Sequence, residues 1–133
     1  MSGETNLAVL LKNLMPVKKP GEYVFVSVAP SRVTAELMMS ALATFKEKEG
    51  ISLILEVGAA KEFELTYEGT YSCITCEVHS SLDAVGMTAA MTAALTHTHI
   101  SANVVAGFYH DHIFVPTTKA DQAVMVLSSL SLE

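Results

Sequence analysis

Two periods alternate along this chain, and each change of period marks a new element. Leu7, Leu10, Leu11 and Leu14 recur at helical spacing, which predicts an amphipathic helix over residues 6–15. Pro16 stops it and Pro20-Gly21 makes a turn. Tyr23–Val28 (YVFVSV) is β-branched and aromatic and predicts a strand, ended by Pro30-Ser31. Residues 34–56 admit two readings. In one, Leu37, Met38, Ala41, Leu42 and Phe45 share a helix face with Gly50 as C-cap. In the other, a short linker reaches Ser40, and a hairpin joins Ala41–Glu47 to Ile51–Val57 with its turn at Glu49-Gly50. Ile51–Leu55 is a strand under both. Residues 57–65 suit a short helix, and Glu62, Glu64 and Glu68 form a solvated acidic run before a linker at Gly69.

From Tyr71 to His79 the chain alternates, with Ile74, Cys76 and Val78 on one face and Cys73, Thr75 and Glu77 on the other. That pattern predicts a half-buried strand. Ser80-x-x-Asp83 then reads as a capping box for a helix over residues 82–95. In this helix small residues (Ala84, Gly86, Ala89, Ala90, Ala93, Ala94) interleave with Met87 and Met91, and charge is nearly absent. A helix apolar all round is expected to be covered on more than one face, by its own sheet and by a neighbouring domain or subunit. Residues 102–107 and 111–116 predict a hairpin turning at Phe108-Tyr109-His110. Thr118-x-x-Asp121 reads as a second capping box, ahead of the apolar stripe Ala120, Ala123, Val124, Leu127 and Leu130. The order from Tyr71 is β-α-β-β-α, and one strand from elsewhere would complete a βαββαβ, ferredoxin-like unit. The first half supplies strands and a short helix in a related order. The expected architecture is therefore α+β, with two tandem units: an irregular one over residues 1–69 and a second over 70–133. Each has an antiparallel sheet with helices on one face.

Composition narrows the function classes. The 133 residues are half hydrophobic and only 17% charged, which favours a self-associating chain, a homodimer or higher homo-oligomer. A net charge of −6 with eight Lys+Arg lacks the basic footprint of a nucleic-acid binder. The N-terminus has no positive region preceding its short apolar run, and no apolar stretch approaches the roughly 18 residues of a membrane span. Cys73 and Cys76 sit three apart in a strand and point to opposite faces, so a disulfide or metal knuckle is disfavoured. They read as buried free thiols of a reducing, cytoplasmic compartment.

Two stretches carry candidate chemistry. The turn Ser80–Gly86 combines helix-start amides, which favour a carboxylate, with Ser80 and Ser81 hydroxyls and an Asp83 carboxylate suited to an ammonium group. Val85 belongs to the same turn, Gly86 permits close backbone approach, and Asn103 on an adjoining strand can add an amide. The competing reading is a helix cap and nothing more. The histidines are the second stretch: His97 and His99 at a helix end, His110 and His112 on the hairpin. Imidazoles ligate zinc or nickel, so a His-based metal-dependent enzyme is one alternative. His110 and Asp111 also allow a catalytic pair. No nucleophile motif, phosphate loop or dinucleotide fingerprint accompanies them, and neither a catalytic residue, a metal nor a cofactor is expected.

EVHSSLDAVGMTAAMTAAL followed by ISANVVAGFYHDHIFVP resembles the C-terminal half of small bacterial two-ACT-domain proteins. LLKNLMPVKKPGEYVFVSV and ALATFKEKEGISLIL resemble their N-terminal half. These are similar in turn to the ACT regulatory domains of aspartate kinases and to the cytosolic arginine sensors of animals. The resemblance implies tandem ACT-like units and favours the hairpin over residues 41–57. It further implies a non-catalytic regulatory module, binding a free amino acid or similar metabolite where the loop between first strand and first helix meets a neighbouring edge. Here that loop is Ser80–Gly86, with Ser80, Ser81, Asp83, Val85, Gly86 and Asn103 as candidate ligand residues. A ligand-free oligomerising interaction protein is the remaining alternative.

Overall fold

A computed structural model describes residues 3–132; Met1, Ser2 and Glu133 lie outside the described residues. The chain divides into two compact units, Gly21–Tyr71 and a second formed by Met1–Pro20 together with Ser72–Glu133. Residues 3–20 thus pack with the second half of the chain. Among the described residues no helix is long and apolar enough to cross a membrane.

In the unit Gly21–Tyr71 the order is β-α-β-β-α. Strand β2 (Tyr23–Val28) pairs antiparallel with β4 (Ile51–Glu56), and β4 pairs with β3 (Ala43–Lys46). The hairpin reading of residues 41–57 is the one observed. It closes where Glu47 N–H donates to Gly50 O at 2.9 Å, and Leu42 N–H donates to Ile54 O at 2.7 Å. Of the expected linker, Ala35–Ser40 is a one-and-a-half-turn helix, α2, because Thr34 Oγ1 caps it by accepting from Leu37 N–H at 3.1 Å. Helix α3 (Val57–Glu62) follows β4 directly. Val24, Val26, Leu53 and Leu55 point inward onto Leu37 of α2 and Ala60 of α3. The helices therefore cover one sheet face.

The other unit begins with α1 (Leu7–Lys12), capped by Asn6 Oδ1, which accepts from Val9 N–H at 3.2 Å. It ends short of the expected residue 15. Leu14 is buried beyond its end, and Met15 turns the chain at φ +47° ahead of Pro16. Pro16 does more than stop a helix: Pro16–Lys18 is strand β1, paired antiparallel with β5 (Tyr71–Cys76) in the register Val17↔Thr75. This is the strand that completes the second unit. A proline is tolerated there because it opens the strand. The sheet runs β1-β5-β7-β6, with β6 (Asn103–Ala106) and β7 (Asp111–Pro116) forming the hairpin. Helices α4 (Met87–His97) and α5 (Ala120–Ser129) pack on it through Met91, Leu95, Ala123 and Leu127, against Ile74 and Ile113. Both units are thus ferredoxin-like, the first with very short helices.

Three expectations need correction. Strand β5 is not half-buried: Ser72, Cys73, Ile74, Thr75 and Cys76 are all buried. Alternation of residue type measured polarity there, not exposure, since the Thr75 hydroxyl is satisfied inside by His112 Nδ1 at 2.9 Å. The Thr118–Asp121 capping box does not form either. A 3-10 turn over Thr117–Lys119 leads into α5 without a side-chain cap, and Asp121 pairs with Lys18 at 2.9 Å. Finally, α4 begins at Met87, five residues later than expected, with Gly86 at its cap position and no side-chain cap. Within the single chain α4 buries Met87, Met91 and Leu95, while Ala89 and Ala93 stay exposed.

Candidate functional site

Residues 77–86 connect β5 to α4 as a folded loop. Ser81 Oγ accepts from Asp83 N–H at 3.1 Å, and Ala84 N–H donates to Ser81 O at 3.0 Å, a tight local turn. Gly86 then takes φ +100°, which a side-chain-bearing residue adopts only with strain. The Ser80–Asp83 box is replaced by this turn, so the loop remains a wall instead of becoming helix.

That wall bounds a cavity of about 140 Å³ lined by Ser80, Ser81, Leu82, Ala84, Gly86, Met87, Thr88, Ala106 and Asp111. A more open recess of about 260 Å³ shares Ser80, Ser81 and Leu82 as lining and is edged by Gly3, His79, Asp83 and Phe108. Of the candidate residues, Ser80, Ser81 and Gly86 meet at the first cavity, and Asp83 faces only the second. Val85 lines neither and is 82% exposed. Asn103 is not brought to either space. It pairs with Phe114, whereas Ala106, paired with Asp111, is the β6 residue at the cavity. At strand rise, three residues separate the two by about 10 Å.

Asp111 is the residue that the motif reading undervalued. It is the first residue of β7, is buried at 9% exposure and lines the cavity. Burial pushes its pKa above the ordinary carboxylate value, and the neighbouring His112 pulls partly back. The signal available in sequence was an acidic residue opening an apolar strand, IFVP, where a charge is costly. Met87 and Thr88 place the first turn of α4 at the same cavity, where helix amides lack intrahelical partners. A buried acidic residue and the positive end of a helix thus line one cavity.

The histidines are dispersed. His97 ends α4, His99 follows it at φ +59°, His110 lies in the hairpin turn, and only His112 is on a strand. Among the described residues no group of three His, Cys, Asp or Glu side chains is placed to hold a metal ion. Cys73 and Cys76 are free and buried; Cys76 Sγ lies 3.6 Å from Met91 Sδ, and burial, with Asp111 and Cys73 nearby, pushes its thiol up to about 12. Neither thiol is a nucleophile at neutral pH.

His112 predicts a pH effect. Burial holds its pKa below the ordinary value, with His110 and Lys19 acting in the same direction and Asp111 against it. A depressed pKa means full stability above about pH 6.5 and a loss as pH falls through the folded value. Melting temperature should therefore drop on acidification through that window, and His112→Gln should flatten the drop. An identical pH profile in the variant would remove His112 as the cause.

Two segments match the ACT domain family model, residues 2–72 and residues 68–129. Among solved structures the chain is similar to a Vibrio cholerae protein of unknown function, named a possible transport protein. The two share 41% identity over 94% of this chain and 95% of that one, with a TM-score of 0.83. It also resembles a protein from Agrobacterium tumefaciens at 15% identity over 87% of each chain, TM-score 0.71. The ligand-free regulatory subunit of aspartate kinase from Thermus thermophilus is similar at 9% identity, over 89% of this chain and 97% of that one, TM-score 0.65. The last two likenesses are of fold. No curated protein matches the chain.

Proposed function

Because the chain belongs to the ACT-domain family, whose domains are regulatory and non-catalytic, we propose that it is a sensor of a free amino acid. The ligand sits against the wall Ser80–Gly86. The observation that carries this reading is a cavity of about 140 Å³ lined both by the buried Asp111 and by the start of α4. Asp111 meets the α-ammonium group. The first-turn amides of α4, with the Ser80 and Ser81 hydroxyls, meet the carboxylate. A cavity of this size takes a molecule of roughly benzene dimensions, so the ligand's side chain extends toward the open recess beside His79 and Phe108.

Binding is read out through association of subunits, using the exposed Ala89 and Ala93 of α4, where small side chains admit a close neighbour. Two buried free thiols support a cytoplasmic setting. The test is thermal melting against the twenty amino acids at millimolar concentration. A ligand at 100 times its Kd adds about 2.7 kcal/mol, several degrees for a chain of this size. No shift with any of the twenty would sink the amino-acid reading and leave ligand-free association in its place.

A further inference from the structure

Ser80–Gly86 carries the residues of a helix start, yet the fold does not make it helical. The N-terminal segment meets this loop at both ends. Glu4 N–H donates to His79 O at 2.9 Å and Ser81 N–H donates to Glu4 O at 3.0 Å, so Glu4 and Ser80 form a parallel bridge. A Cβ on Gly3 would stand 2.6 Å from Ser80 C and 2.7 Å from both His79 O and Ser81 N. All three are backbone atoms, so any side chain at position 3 forces the two segments apart. At the far end of the loop, Leu7 Cδ2 lies 3.1 Å from where a Gly86 Cβ would be. The segment is itself fixed: Glu4 Oε2 accepts from the Thr5 and Asn6 N–H groups, each at 3.0 Å, immediately before the cap of α1.

We propose that Gly3, Glu4 and Leu7 are positioning residues for the ligand loop, and that their hold keeps Ser80–Gly86 out of the helix its own sequence encodes. Docked, the segment ties residues 79–81 into the bridge and leaves the loop as a wall of both cavities. Undocked, the turn Ser81–Ala84 continues through Gly86 into α4. Gly86 can leave φ +100° for the helical region without steric cost, and Ser80 with Asp83 then caps the lengthened helix. Extending the helix removes the cavity wall, so docking of the segment and ligand affinity rise and fall together. That coupling rests on the proposed binding function; the competition between segment and helix does not.

The experiment is solution NMR on the ligand-free full chain, reading backbone shifts and amide exchange over residues 79–88. Wild type is compared with Gly3→Val, Leu7→Ala and the conservative Leu7→Ile. Gly3→Val and Leu7→Ala should give helical shifts at residues 82–86 and lose protection at Glu4 and Ser81, while Leu7→Ile keeps the wild-type pattern. Wild-type shifts at residues 82–86 in the first two variants, or random-coil shifts there, overturn the proposal. If Gly3→Val does not fold, Leu7→Ala alone decides, since Leu7 is at the surface of a six-residue helix. For whichever amino acid shifts the wild-type melting curve, Leu7→Ala should bind at least tenfold more weakly. Unchanged affinity with a helical loop would overturn the coupling. No wild-type shift with any amino acid would count against the binding function and leave the NMR result standing.

Discussion

Asp111→Asn should leave the protein more stable at neutral pH and weaken amino-acid binding by about 10- to 100-fold. The two effects have one origin. In the fold the carboxyl is buried and its pKa is raised, so the native state holds that proton more tightly than the unfolded chain does. Stability linked to such a group is fully present below the ordinary carboxylate value and is lost as pH rises through the folded value. The wild-type protein therefore carries an ionisation penalty at neutral pH that asparagine lacks. The stability difference should shrink to nothing as the pH falls well below about 4. Binding moves the other way, because a charge-assisted hydrogen bond to an ammonium group contributes about 1.5–3 kcal/mol and an amide cannot replace it. Denaturant titrations at two pH values, with calorimetry on the ligand found by thermal screening, check both halves. A variant that is less stable at neutral pH, or that binds as tightly as wild type, would refute the role given to Asp111.

Leu95→Ala carries the largest expected loss of stability, about 2–5 kcal/mol. Helix α4 is anchored by only three fully inward side chains, Met87, Met91 and Leu95, and the last has no exposed surface. Its other positions, apart from the exposed terminal His97, are alanine and threonine, too small to swing into a void. The cavity left by truncation therefore stays open and its lining loses contacts outright. Against a total stability of about 5–15 kcal/mol this is a large share, so the urea midpoint should fall steeply at unchanged slope. Thr96→Ala, at an exposed position of the same helix, should move the midpoint by less than about 0.5 kcal/mol. A cost under 1 kcal/mol for Leu95→Ala would mean that α4 is not held by this face.

Strands with strong local signals were legible in the sequence. Tyr23–Val28 and Asp111–Pro116 have the observed bounds because β-branched runs between turn residues leave few alternatives. The order β-α-β-β-α also followed from sequence alone, as did the stripe of α5 and the burial of two free thiols. Strand β1 was not legible. Three residues, Pro16–Lys18, carry no period, and only pairing with β5 makes them a strand.

The loop Ser80–Gly86 divides the two kinds of information most sharply. Sequence named it as the place of interest and, by the resemblance, as the ligand loop. Its local chemistry, Ser80 with Asp83, also encoded a helix that does not form. The bridge to Glu4 and the contact of Leu7 with Gly86 oppose that helix, and both come from residues more than seventy positions away. Local propensity is worth a few tenths of a kcal/mol per residue, so a backbone bridge and a packed side chain outweigh it. Strand pairing likewise brings Asp111, named in the sequence only as a possible partner of His110, to the loop's cavity and leaves Asn103 away from it. Which residue of β6 faces the loop depends on hairpin register, and register is a property of the paired strands. Sequence determined the order of elements from Tyr71 onward and the location of the loop. Tertiary pairing decided the conformation of that loop and which acidic residue shares its cavity.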